Sequence, residues 1–117
     1  MNVRRADVVL LDFPFASGRT SKLRPALVVQ NDRDNARLLN TIVAQITTRL
    51  HSLAPTRFLI DLATAEGQQT GLDRTSMVSC ENLVTVEQNL IVRKLGALSS
   101  DAMRQIDACL RAALGLT

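Results

Sequence analysis

Apolar residues in this chain come in short bursts, and their period changes only once. DVVLLDF (7–13), PALVVQN (25–31), TIVAQIT (41–47), RFLID (57–61), TSMVSCE (75–81) and LIVRKLGAL (90–98) are runs of five to nine residues separated by more polar segments. Runs of that length, bounded by turn residues, predict strands. Pro14 closes the first, and Pro25 opens the second at a position where a missing N–H is tolerated. After residue 98 the spacing lengthens. Met103, Ile106, Leu110 and Leu114 recur at helical intervals, so SSDAMRQIDACLRAALGL (99–116) reads as an amphipathic helix. Ser99 suits its N-cap, Asp101 its positive end and Gly115 its terminus, with Leu98 and Met103 at the two positions of a hydrophobic staple. Five or six short strands and one helix in 117 residues predict a single domain over 1–117, mainly β (α+β). Its expected form is a small antiparallel barrel or curled sheet carrying a packed helix. Between the strands, 15–23 reads as a mobile loop, 32–40 as a polar connection with a helical turn, and 62–74 as loop.

Charge and composition narrow the function classes. No run approaches the length of a membrane span, and MNVRRADVVLLDF lacks the small-residue cleavage site of a signal peptide, so a cytoplasmic protein is expected. Cys80 and Cys109 sit in apolar stretches and read as buried thiols. Residues 1–57 hold nine Lys/Arg against four acids, whereas residues 58–117 hold five against seven. That asymmetry points the first half towards an anionic partner. The aromatics are Phe13, Phe15 and Phe58, with no Trp or Tyr, which argues against a base-stacking platform. One histidine, His51, and two distant cysteines give no metal-ligand spacing, so no metal or cofactor is expected. His51 falls in a loop and reads as a surface residue. No nucleotide-binding glycine motif or nucleophile elbow is present.

Strand parity then sorts the polar positions. In the third strand Ile42, Ala44 and Ile46 share one face, and Thr41, Val43, Gln45 and Thr47 the other. The third and fifth strands each end on a polar side chain, Thr47 and Glu81. Taken singly, both are also what a half-solvated sheet displays. Arg24 differs, because Pro25 restricts its backbone to extended geometry and so lets its guanidinium be aimed with little entropy lost. A planar, permanently charged donor fork suits a phosphate. Pairing with Asp12 or Asp32 is the alternative, and spacing alone leaves the two open.

Five segments carry a resemblance: RRADVVLLDFPF, KLRPALVVQND, TIVAQITT, TGLDRTSMVSCENLVTV and KLGALSSDAMRQIDACLRAALGL. In order, they resemble segments of the MazF/PemK family of toxin endoribonucleases. The resemblance implies an SH3-like antiparallel barrel with a C-terminal helix, a homodimer, and a cognate antitoxin that blocks the RNA groove. It implies metal-independent cleavage of single-stranded mRNA through the substrate's 2′-hydroxyl. Catalysis in that family rests on the arginine of the Arg-Pro pair and the threonine ending the third strand, which match Arg24 and Thr47. Some members use an acid late in the fifth strand, which matches Glu81, a candidate base if burial raises its pKa. Arg19, Lys22, Thr48, Arg49 and Ser79 are the expected RNA-binding positions, with Arg19 and Lys22 on a loop that closes over the backbone. Two departures stand out. Some members have a basic residue where this chain has Ser79. Arg5-Ala6-Asp7 stands in place of Arg-Gly-Asp, a change expected to be without consequence. The rival readings are a CcdB-type gyrase poison of the same fold and a catalytically inactive binding module.

Overall fold

Six strands form where the apolar runs stand, and one long helix follows them. The computed structural model describes residues 2–12 and 23–117. In chain order the elements are β1 (Asp7–Asp12), β2 (Leu23–Val28), α1 (Asp32–Arg37), β3 (Asn40–Thr47), β4 (Arg57–Ile60), α2 (Ala65–Gln68), β5 (Ser76–Glu87), a 3-10 turn (Gln88–Leu90), β6 (Ile91–Ala97) and α3 (Ser100–Leu114). All the pairings are antiparallel, in the spatial order β4-β5-β3-β2-β1-β6. Arg19 and Lys22, with the loop assigned to them, lie outside the described residues.

The sheet is apolar on both faces, and that is what curls it. One cluster gathers Val8, Leu27, Ala44, Ile46, Val78 and Cys80 beneath Met103, Ile106 and Cys109 of α3. The other gathers Val9, Leu11, Ala26, Val28, Val43, Val86 and Ile91 with Val3. No helix supplies residues to this second cluster, so the strands must wrap around it to remove it from water. The expected small barrel with a packed C-terminal helix is the result, with β4 and β6 as its two ends.

The helix signals act as read. Ser99 accepts from the Ala102 N–H, Gly115 ends α3 at φ 70°, and Leu98 and Met103 are both buried in the first cluster. The 32–40 connection holds the expected helical turn, and 62–74 carries more structure than expected. Asn31 caps α1 by accepting from the Asp34 N–H, and within 62–74 Thr64 caps α2 by accepting from the Gly67 N–H. Cys80 and Cys109 are buried free thiols, and burial pushes Cys80 up to about 12. No helix among the described residues is long and apolar enough to cross a membrane.

β5 departs most from expectation. It does not stop at Glu81 but runs on through Asn82-Leu83-Val84-Thr85-Val86-Glu87. Gln45 of β3 faces Ser79, whereas the preceding residue, Ala44, faces Leu83, so Cys80, Glu81 and Asn82 bulge out of the ladder. A pair of polar residues that looks like a strand end is a bulge inside one strand.

The Ala6 departure has a consequence after all. Ala6 has φ 85°, in the left-handed region that favours glycine, and is the one non-glycine residue there among the described residues. Its N–H donates to Val28 O and its carbonyl accepts from the Leu98 N–H, so β2 and the approach to α3 hold it in that conformation.

Candidate active site

Three adjacent strands build the site, β2 and β3 from their ends and β5 from its bulge. β2 and β3 pair Val28 with Val43, Leu27 with Ala44 and Ala26 with Gln45. Two residues further, the same register sets Arg24 across from Thr47. The β2–β3 ladder ends before that pair, at Ala26, since Pro25 next to it has no N–H to contribute. On the other side of β3, Gln45 faces Ser79 and Thr47 faces Met77. Antiparallel partners project to the same face, so Arg24, Gln45, Thr47 and Ser79 continue the face of the second cluster. Along β3 that face changes from buried Thr41 and Val43 to partly exposed Gln45 and Thr47. The site opens where the apolar lining runs out.

The opening is a pocket of about 420 Å³. Arg24, Thr47, Thr48, Arg49 and Ser79, all expected from the sequence, line it together. Gln45, His51 and Asn82 complete the wall and were not anticipated as site residues. Strand parity already placed Gln45 on the polar face beside Thr47. Asn82 reaches the pocket only through the bulge. His51 is an exposed loop residue, as expected, but its loop turns back across the end of β3.

Among the described residues, two guanidinium groups and no carboxylate line the pocket, a donor set for an anion rather than a divalent cation. The Nε of Arg24 is buried and has no hydrogen-bond partner among the described residues. Burying such a donor without a partner is unfavourable, so an incoming anion gains from it. Asp32 is not its counter-ion. That carboxylate accepts from the Arg5 N–H at 2.6 Å and Asn35 Nδ2 at 3.3 Å, with Arg4 at 3.9 Å. Among the described residues no acid pairs with Arg24. Thr47 Oγ1 accepts from the Arg49 N–H at 3.1 Å, which folds the chain end over the pocket and leaves its own O–H available to donate.

Glu81 does not meet the condition set for a base. It is exposed and does not line the pocket. Arg57 Nε donates to its Oε1 at 2.7 Å, Arg57 Nη2 to its Oε2 at 3.2 Å, and Thr56 Oγ1 to its Oε1 at 3.0 Å. The Arg57 hydrogen bond, followed by that from Thr56, holds its carboxyl below the ordinary value instead of raising it. Sequence reading missed this because Arg57 stands 24 residues away, on β4. Glu81 touches the site only through Ser79, whose Oγ donates to it at 3.2 Å and accepts from Asn82 Nδ2 at 3.2 Å.

Comparison with known proteins gives a consistent set of likenesses. Residues 4–114 match the profile of a family described as PemK-like, MazF-like toxin of type II toxin-antitoxin system. The endoribonuclease MazF of Staphylococcus saprophyticus is 32% identical over 116 residues, 97% of this chain and 92% of the relative. Among solved structures, an endoribonuclease in complex with its cognate antitoxin, from a mycobacterial species, superposes with TM-score 0.80 at 23% identity. That match covers 98% of this chain and 97% of that one. A MazE-MazF structure from Deinococcus radiodurans gives TM-score 0.75 at 17% identity, covering 100% and 99%. At those identities the structural likeness is one of fold.

Proposed function

Since this chain belongs to the PemK-like, MazF-like toxin family of type II toxin–antitoxin systems, we propose that this endoribonuclease cuts single-stranded RNA, without a metal ion, in the pocket between β2, β3 and β5. One observation carries the reading. Arg24 and Thr47 arrive from adjacent strands at a single carboxylate-free pocket, with the Arg24 Nε buried and unpartnered among the described residues.

The substrate's 2′-oxygen forms a bond to phosphorus while the bond to the 5′-oxygen breaks. The 2′-hydroxyl loses its proton and the 5′-oxygen gains one, leaving a 2′,3′-cyclic phosphate and a 5′-hydroxyl. Charge builds on the non-bridging oxygens during this exchange. The Arg24 fork neutralises it and the Thr47 hydroxyl donates to it, both held in place before the substrate arrives. Arg49 and the polar wall of Gln45, Ser79 and Asn82 hold the flanking backbone and bases. The pocket is too short to enclose a strand, so a homodimer, acting in the cytoplasm, extends the groove, and a cognate antitoxin occupies it in competition with RNA. A gyrase poison or an inactive binding module of this fold has no use for Arg24 and Thr47 in one pocket. The test is product analysis on a single-stranded RNA in excess EDTA. Cyclic-phosphate and 5′-hydroxyl ends, with no cutting of DNA or of RNA 2′-O-methylated at the cleaved position, are expected. Activity that EDTA abolishes, or 5′-phosphate ends, overturns the mechanism.

A further inference from the structure

We infer that His51 carries a proton transfer in this reaction. The inference rests on the RNA-cleaving reading of the pocket, and it comes from matching what the reaction requires to what the wall contains. Strand cleavage by a 2′-hydroxyl moves two protons, one off the 2′-oxygen and one onto the 5′-oxygen, with no net oxidation. Arginine does not release its proton near neutral pH, and hydroxyl and amide side chains do not titrate there. That removes Arg24, Arg49, Thr47, Thr48, Ser79, Gln45 and Asn82 as proton carriers. Among the described lining residues, the imidazole of His51 is the one side chain suited both to accept and to donate a proton as a general acid–base group, and it is the only histidine in the chain.

The surroundings support the assignment independently. Glu81 is turned towards Arg57 and outside the pocket wall. The backbone on either side of His51 is tied down. Arg57 Nη1 donates to the Ser52 carbonyl at 2.9 Å, and the Arg49 N–H donates to Thr47 Oγ1. An imidazole between two anchored neighbours loses less freedom in reaching a substrate than one on an untethered loop. Among the described residues, the charged groups sharing its pocket are Arg24 from β2 and Arg49 from its own segment, while β5 presents the neutral Ser79 and Asn82.

The test is the pH dependence of single-stranded RNA cleavage by the full chain, its His51→Ala and His51→Gln variants, and Arg24→Ala alongside. Both His51 variants are expected to lose about a hundredfold or more in kcat, with KM within about threefold of the parent. They should also lose one ionisation limb of the parent's pH–rate profile, and added imidazole should restore part of the His51→Ala rate. Loss confined to KM, a limb that persists in both variants, or parent-like kcat overturns the inference. If the parent cuts and Arg24→Ala does not while the His51 variants keep full rate, only this inference fails. A parent chain that leaves RNA intact overturns the reading beneath it as well.

Discussion

Arg57 grips Glu81 with two nitrogens, Nε at 2.7 Å from Oε1 and Nη2 at 3.2 Å from Oε2. The same guanidinium donates to the Ser52 carbonyl, so one side chain fixes both the bulge of β5 and the loop that carries His51. Glu81 is therefore expected to act on the pocket as a positioning residue, through Ser79. Glu81→Gln is expected to lower kcat by less than about tenfold, whereas removing a general base costs roughly a hundredfold or more. Steady-state kinetics against the parent decide between these. The linkage has a definite sign. Because the folded carboxyl titrates below its ordinary value of 4.5, its stabilisation is present above that pH and is lost as pH falls through the folded value. The parent should thus show an acid-side loss of stability, below about pH 4.5, that Glu81→Gln lacks.

Arg24 and Thr47 are expected to separate activity from stability. Arg24→Ala and Thr47→Ala should each lose roughly a hundredfold or more in cleavage rate, the usual cost of one donor to a charged transition state. Arg24→Lys should fail almost as badly, since an ammonium cannot reproduce the planar fork. Thr47→Ser keeps both the acceptor for the Arg49 N–H and a hydroxyl donor, so it should keep most of the rate. Thermal unfolding of Arg24→Ala should occur at or above the parent temperature, because the substitution removes a buried donor that has no partner among the described residues.

Ala6 offers a stabilising change far from the pocket. An L-residue with a Cβ held at φ 85° is strained by about 1 kcal/mol relative to glycine. Ala6→Gly is therefore expected to raise stability by about 1 kcal/mol less the added flexibility of the unfolded chain, or up to roughly 4 °C in Tm. Cleavage rate should not change. Calorimetry of the two proteins is the check, and a lower Tm for the glycine variant would remove the strain argument.

Assembly is testable by sedimentation. Several large apolar side chains face solvent, among them Leu39 at 87% and Leu53 at 74% exposure. Pairing two copies is the commonest way to cover such surface. A homodimer at micromolar concentration is expected, together with competition between RNA and an acidic, partly disordered antitoxin segment at Arg24 and Arg49. That competition should weaken with salt, as interactions between exposed charges do. A fully active monomer, or an antitoxin complex that still cuts RNA, would contradict this arrangement.

What the sequence determined by itself is what short-range physics controls. Alternation along TIVAQIT fixed which side chains share a face, and the spacing of Met103, Ile106 and Leu110 with Ser99 and Gly115 fixed α3 and both its ends. Pro25 stiffened Arg24 and parity set Thr47 on a polar face, while the family resemblance joined the two and added Thr48, Arg49 and Ser79, so five of the eight described lining residues were expected before any contact was known. Tertiary structure alone decided the rest. Whether Glu81 is a buried base or an ion-paired surface acid depends on Arg57, which reaches it only once β4 pairs with β5. The bulge at Cys80-Glu81-Asn82 reflects the register of β3 against β5, and it is this register that swings Asn82 into the wall. Ala6 occupies the third position of a turn closed by the Asp7 N–H on the Arg4 carbonyl, a place that takes a positive φ, and its hydrogen bonds to Val28 and Leu98, from two other parts of the chain, hold it there. Periodicity and capping act over about four residues, whereas ion pairs, bulges and imposed backbone strain arise where distant strands meet.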